Sequence, residues 1–390
     1  MSRTRHRCLS ALGGLDQECW PPSVGLGRPT DGADRSRMDP QWPMQCAVPP
    51  PQGGGTRDHV CTRRCVVLRP VTVGLNGTPE SLAAAGWGAH EAMVRNRPLL
   101  LVSAWEWQPY SHAPLASTEM PEQRSRRLPE EAANHLAHRY PGLGIATKQL
   151  TGPPPEMLCQ AAAEAEMLVL GTTGLGALTG FLMGSVAMAT VAHTHRPVVL
   201  VRPGSSAATF PAEDGAAREM PVSEKDDVRD GPVLAAIDLG PTTDGVLQFA
   251  FEAAAAHSGD VQVIYSWNPP VGYVQGIGGD LRWRADIAAE GAGVVHALLG
   301  PWREKYPEVS ITERPEVGSP GRHLVGAAAS SSLVVIGRRT NRYWPRKPRI
   351  GHVAHAVLHH SPAPVAVIPQ DSPRLAADET GFDETGPKAE

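Results

Sequence analysis

The segment Leu168-Val-Leu-Gly171-Thr172-Thr-Gly174, followed after nine residues by Gly184-Ser185-Val186, has the residue types and spacing best suited to chemistry. An apolar run ends at Gly171, a glycine-dotted loop follows, and a helical pattern begins near Ser185. Glycines let backbone N–H groups approach an anion closely, a helix N-terminus carries partial positive charge, and Ser185 adds a hydroxyl donor. These features suit a phosphate. No Gly-Lys-Ser/Thr follows, so the loop is not of the Walker type. The same pattern arises where glycines only ease a tight turn and Ser185 only caps a helix, and on the residues alone both readings stand.

Other reactive residues give weaker signals. His355 and His359 are four apart on a helical stretch that also holds His352 and His360, but no acidic or cysteine partner lies in register. His193 and His195 fall near the end of a helical pattern, where a protonated imidazole favours the dipole. Cys61 and Cys65 lack a downstream Cys/His pair, and Cys159 sits in an apolar helical pattern as a core residue. No Ser-His-Asp or Cys-His arrangement is supported, and no metal site is expected.

The elements that position the glycine loop occur twice. Val71-Thr-Val-Gly74-Leu75-Asn76 and Leu99 to Trp105 in the first copy match Val233 to Asp238 and Val261 to Trp267 in the second. Ala165 to Gly171 matches Ser332 to Gly337, and Arg196 to Val201 matches Ala363 to Ile368. Four landmarks in the same order indicate a duplicated domain. In each copy short apolar runs alternate with Ala-rich helical stretches, so the strands are buried on both faces of a parallel sheet. The expected fold is α/β: two tandem doubly wound domains, each with five parallel strands and ligand sites at the carboxyl ends of the strands. The tryptophans there, Trp105, Trp107 and Trp267, wall a pocket or pack between domains.

The 390 residues suit two such domains with room for extensions. Residues 1–64 show no sustained period and are expected to be a disordered extension. Residues 65–203 form the first domain, 204–230 an acidic linker, 231–370 the second domain and 371–390 a disordered acidic tail. Lys plus Arg total 36 against 40 Asp plus Glu, a net charge of −4. That balance argues against a coat for nucleic acid or an anionic membrane. Neither a long apolar span nor an apolar signal core is present, and the chain reads as cytoplasmic.

Gly171-x2-Gly174-x9-Gly184-Ser185-Val186, then Arg196-Pro-Val-Val-Leu-Val201, resembles the ATP-binding signature of the universal stress protein family. Val73-Gly74-Leu75-Asn76-Gly-Thr-Pro and the run ending Val102-Ser-Ala104-Trp105 are similar to the form found in actinobacterial tandem members. The resemblance implies strand order 3-2-1-4-5 in each domain and a bound adenine nucleotide, ATP, with Mg²⁺ as a further candidate. It assigns phosphate and ribose to Gly171, Thr172, Gly174, Gly184, Ser185 and Val186, with Gly74, Leu75, Asn76 and Ala104 flanking adenine and ribose. Asn76 stands where the family usually has Asp. It keeps an acceptor oxygen but loses the charge, so binding survives with less dependence on metal, unless Asn76 simply makes an Asx turn.

The second copy departs further. Thr340 replaces the second glycine and His352 the serine, while Asp238 is kept. Six Arg/Lys between Gly337 and Gly351 grip a polyanion or form a solvated basic loop, and the second site reads as degenerate. The resemblance further implies that the last strands, Pro197–Val201 and Pro364–Ile368, pair the two domains as an internal pseudo-dimer. Homo-oligomers and an unknown protein partner stay open. The expected function is an ATP-binding regulatory module in stress or dormancy response. A nucleotide-free interaction scaffold is the alternative. The chain is not expected to be an enzyme, and any ATPase activity would be slow.

Overall fold

A computed structural model describes residues 68–106, 121–172, 184–202, 231–267, 281–338 and 350–369. The extension 1–64, the linker 204–230, the tail 371–390, Trp107, Gly174 and the loop carrying Thr340 lie outside the described residues. The first half runs β1 (Val71–Leu75), α1 (Pro79–Val94), β2 (Leu99–Trp105), α2 (Pro121–Arg139), β3 (Ile145–Thr151), α3 (Pro154–Ala163), β4 (Met167–Gly171), α4 (Ser185–His193) and β5 (Val198–Val201). The second repeats it as β6 (Val233–Ile237), α5 (Thr243–Ala256), β7 (Val261–Trp267), α6 (Leu281–Lys305), β8 (Ile311–Val317), α7 (Pro320–Ala328), β9 (Leu333–Arg338), α8 (His352–His360) and β10 (Val365–Pro369).

The strands join into one ten-stranded sheet in the order β3-β2-β1-β4-β5-β10-β9-β6-β7-β8. Each half is therefore parallel in the order 3-2-1-4-5. The halves meet where β5 and β10 pair antiparallel, with Val199 opposite Ala366. That pairing gives each terminal strand the hydrogen-bond partner an open edge lacks. The central strands are buried on both faces: all of Val71–Leu75 and Val198–Val201 are shielded from solvent. α1 covers β1 with small residues, and a Cβ built on Gly88 would lie 2.6 Å from Val73 Cγ2. No described helix is long and apolar enough to cross a membrane.

The halves also meet through side chains. On one face Glu91 of α1 is ion-paired to Arg95 (2.5 Å) and to His257 of the second half (2.8 Å). Arg95 reaches Glu166 at 3.3 Å and lies over the Phe249 ring of α5, 5.2 Å from its centroid. Burial pushes the Glu91 carboxyl up, but Arg95 and His257 more than offset this and hold it at about 2. At the same seam Arg202, which follows β5, donates to the carbonyls of Leu358 and Ser361 at the end of α8. Burial lowers the Arg202 guanidinium to about 10.

One backbone feature separates the halves. After β1 the turn uses Gly77 at φ 83°, whereas after β6 the corresponding turn puts Leu239 at φ 56°. A left-handed conformation costs an L-residue roughly 1–2 kcal/mol, and Leu239 is 38% exposed. Little packing opposes its replacement. Leu239→Gly is expected to stabilise the chain by about 0.5–1 kcal/mol after the added unfolded-state freedom of glycine is subtracted. A rise in urea midpoint checks this, and a fall would contradict it.

Candidate functional site

The carboxyl ends of β1, β2 and β4 and the start of α4 bring the expected residues that are described, all but Gly174, to one edge of the first half. Gly74 and Leu75 end β1, and Gly74 has no room for a side chain: a Cβ there would lie 2.6 Å from Leu170 Cδ2 and 3.1 Å from Leu158 Cδ2. Asn76 is exposed and makes an Asx turn, its Oδ1 accepting from the Thr78 amide (3.1 Å) and hydroxyl (2.9 Å). Thr78 then caps α1, accepting from the Ser81 amide at 3.3 Å. The Asn76 oxygen is thus committed to the turn, and what its side chain presents outward is an NH₂ donor. This is the Asx turn that the sequence left as the plain alternative for Asn76.

Gly171 ends β4 against the first turn of α1. A Cβ built on it would lie 2.4 Å from both the carbonyl carbon and oxygen of Glu80, and 2.6 Å from the Ser81 amide nitrogen. The glycine lets the strand tip and helix start pack backbone to backbone. Thr172 is buried, and both its amide (2.9 Å) and its hydroxyl (3.4 Å) donate to the Val201 carbonyl. Its donors hold β4 to β5 and are not directed at a ligand.

Among the described residues nothing covers the start of α4. Gly184 is the N-cap, at φ −61° and ψ 149°, and among the described residues no side chain caps it and a Cβ built there meets nothing within 4 Å. Gly184 and Ser185 are exposed and Val186 is half-buried. The Met188 amide donates to the Gly184 carbonyl at 3.0 Å, so the amides of Ser185, Val186 and Ala187 have no acceptor within the helix. This end carries donors and the positive pole of the dipole, the electrostatics of an anion site.

At the β2 tip Ala104 is half-buried and pairs with Leu150 of β3. Two residues missed in the sequence stand nearby. Met157 of α3 lies beneath the turn after β3, its Sδ 3.2 Å from where a Gly152 Cβ would be. Arg124 of α2 places Nη2 3.4 Å from the corresponding position on Gly77, beside the β1 tip. Neither was legible, because each reaches the edge from a helix whose register the sequence does not fix.

The second half keeps the scaffold and changes the side chains. Asp238 Oδ1 accepts from the Gly240 amide at 2.9 Å, again an Asx-type turn. Ser266 stands where the first half has Ala104 and is bonded to His323 Nδ1 at 2.9 Å, with His323 in the place of Met157. Trp267 stacks on Tyr265 at 4.7 Å and lies against Gly291 of α6, so packing accounts for it. Arg338, counted in the sequence among six basic residues available to a polyanion, is instead buried and donates to the carbonyls of Ala192 (2.8 Å) and Thr194 (2.6 Å).

The remaining candidates are bystanders. The rings of His355 and His359 lie 4.1 Å apart; burial first, then His359 and His360, hold His355 below the usual imidazole value. Among the described residues no three metal-ligating side chains come together. His193 Nδ1 bonds the Ala189 carbonyl at 2.7 Å. Cys159, expected in the core, is half-buried with its thiol 3.8 Å from the Thr190 carbonyl, and burial pushes the thiol up.

The sequence profile of the universal stress protein family matches residues 68–202 and again 231–369. A universal stress protein of Mycobacterium tuberculosis is 30% identical over 311 residues, covering 77% of this chain and 97% of the relative. One from Mycolicibacterium smegmatis is 28% identical over 308 residues, covering 76% and 96%. The crystal structure of a universal stress protein from Archaeoglobus fulgidus shares the fold with a TM-score of 0.53 at 15% identity, covering 77% of this chain and 98% of that one.

Proposed function

Because the chain belongs to the universal stress protein family, we propose that its first half binds an adenine nucleotide, ATP, at the carboxyl edge of the sheet, and that the whole acts in the cytoplasm as a nucleotide-dependent regulatory module in stress or dormancy response. The observation that supports this is the start of α4: Gly184 and Ser185 are exposed, and among the described residues no side chain caps this helix end or lies within 4 Å of where a Gly184 Cβ would be. Triphosphate oxygens fit the amides there that have no acceptor within the helix, and the Ser185 hydroxyl, with the base lying toward Ala104 and the ribose beside Gly74 to Asn76. Asn76 donates to a ribose or phosphate oxygen where a carboxylate would accept. Binding rather than turnover is proposed, since Thr172 spends its hydroxyl on Val201 and Asn76 is no base. Any hydrolysis is expected to be slower than about 1 s⁻¹.

ATP at about 100 times its Kd is expected to stabilise the chain by roughly 2.7 kcal/mol, with little change when Mg²⁺ is chelated. A melting temperature unmoved by millimolar ATP would overturn the proposal. The second reading, a nucleotide-free scaffold, draws on the internal commitment of Thr172 and of the Asn76 oxygen. It expects that absence of a shift, and a Gly184→Asp variant that behaves as the parent does.

A further inference from the structure

We propose that Arg338, a residue of the second half, is a positioning residue for the first half's phosphate-binding end: it holds α4 by its C-terminus so that the amides at Gly184, Ser185 and Val186 keep their aim. The inference rests on the nucleotide reading of that helix end.

α4 has nine residues and is about 13 Å long. Its buried side chains are Ala187, Thr190 and Val191, which offer little apolar surface to fix it on the sheet. Its last carbonyls have no acceptor role within the helix. Arg338 supplies their partners, donating through Nη1 to Ala192 and through Nη2 to Thr194, while being only 3% exposed. A buried guanidinium at a helix C-terminus adds charge-assisted hydrogen bonds to a favourable interaction with the negative pole. Small displacements of a helix anchored at one end move the other, and donor sets need to be held to within about 0.5 Å to remain effective.

Arg202 does the reciprocal service for α8, through Leu358 and Ser361. Duplication does not account for the pair. Arg338 occupies the place of Thr172, and Pro369 occupies the place of Arg202, so the two braces come from different positions of the repeat. The first half holds α4 by packing it on α3 and by the Cys159 thiol at the Thr190 carbonyl, but the Ala192 and Thr194 carbonyls at its very end are met by Arg338 of the second half. Nucleotide affinity in the first half therefore depends on the second, even if the second binds no nucleotide.

The test compares Arg338→Met with Arg202→Met in the full chain, by calorimetric titration with ATP and by amide hydrogen exchange of α4 and α8. Arg338→Met is expected to weaken ATP binding at least tenfold and to speed exchange in α4. Arg202→Met is expected to speed exchange in α8 and to leave ATP affinity within twofold of the parent. Arg338→Lys, which keeps the charge but not the fork of donors, is expected to fall between and serves if the methionine variant does not fold. Parent-like affinity in Arg338→Met, or an equal loss in Arg202→Met, would overturn the proposal. A parent that binds no ATP overturns the nucleotide reading and with it the positioning role, while α4 exchange still decides whether Arg338 is the brace: unchanged exchange means it is not.

Discussion

Gly171→Ala is expected to destabilise the chain by about 3 kcal/mol or more, the upper range for forcing extra atoms into a packed site. The added carbon would lie 2.4 Å from backbone atoms of Glu80, and a helix backbone cannot rotate out of the way as a side chain can. α1 would have to lift from β4, disturbing the Asn76–Thr78 turn that its first residues help to hold. Two other glycines calibrate the effect. At Gly337 the added carbon meets one side chain, Thr242, at Oγ1 (2.4 Å) and Cβ (2.7 Å); rotation about χ1 relieves only the first, so Gly337→Ala is also expected to be costly, though less so than Gly171→Ala, where helix backbone is in the way. At Gly184 it meets no described residue within 4 Å, and Gly184→Ala is expected to stay within about 0.5 kcal/mol of the parent. Urea denaturation of the three variants checks the order. Equal costs at Gly171 and Gly184 would contradict the packing described.

The second large effect is expected from Glu91. Removing one member of a buried ion pair typically costs 3–5 kcal/mol, because its partner is left uncompensated. Glu91→Ala leaves Arg95 with Glu166 and strips His257 of its carboxylate, so a loss of about 3 kcal/mol is expected. The pH dependence follows from the same contacts. Glu91 titrates at about 2 in the folded chain and near 4.5 when unfolded. A lowered carboxyl stabilises the fold above its unfolded value, and the stabilisation drains as pH falls from about 5 toward 2. At about 1.4 kcal/mol per pH unit the amount is on the order of 3 kcal/mol. The acid limb of the stability curve should therefore be flatter in Glu91→Ala than in the parent. Identical acid limbs would show that Glu91 is not the carboxylate that governs it.

The duplicated domain and its parallel strands were legible because buried strands such as Val71–Leu75 and Val233–Ile237 are continuous apolar runs between Ala-rich helices, a local signal. The start of α4 was legible for the same reason, since Gly184 and Ser185 mark it directly. The pairing of β5 with β10 came from family likeness, not from any property of Val198–Val201 itself. The buried charges were illegible. Glu91, Arg95 and His257 belong to no motif in the sequence, and only the antiparallel seam brings α1 and its C-cap against α5 and its C-cap. Arg338 was misread for a physical reason: it begins a basic stretch, and its sequence neighbours say nothing of the helix end it enters 144 residues away. Thr172 likewise resembles a ligand donor until its strand is paired and Val201 takes both its hydrogens.

The central claim is that the amides opening α4 hold a nucleotide's phosphates. Its most direct test is calorimetric titration of the parent and of Gly184→Asp with ATP. Aspartate at an N-cap of this geometry accepts hydrogen bonds from the first helical amides and favours the dipole. The variant should be at least as stable as the parent, while its carboxylate competes for the same donors and repels phosphate. One ATP site per chain is expected in the parent and none in the variant. Equal binding by both proteins, or no heat from the parent at millimolar ATP, would contradict it.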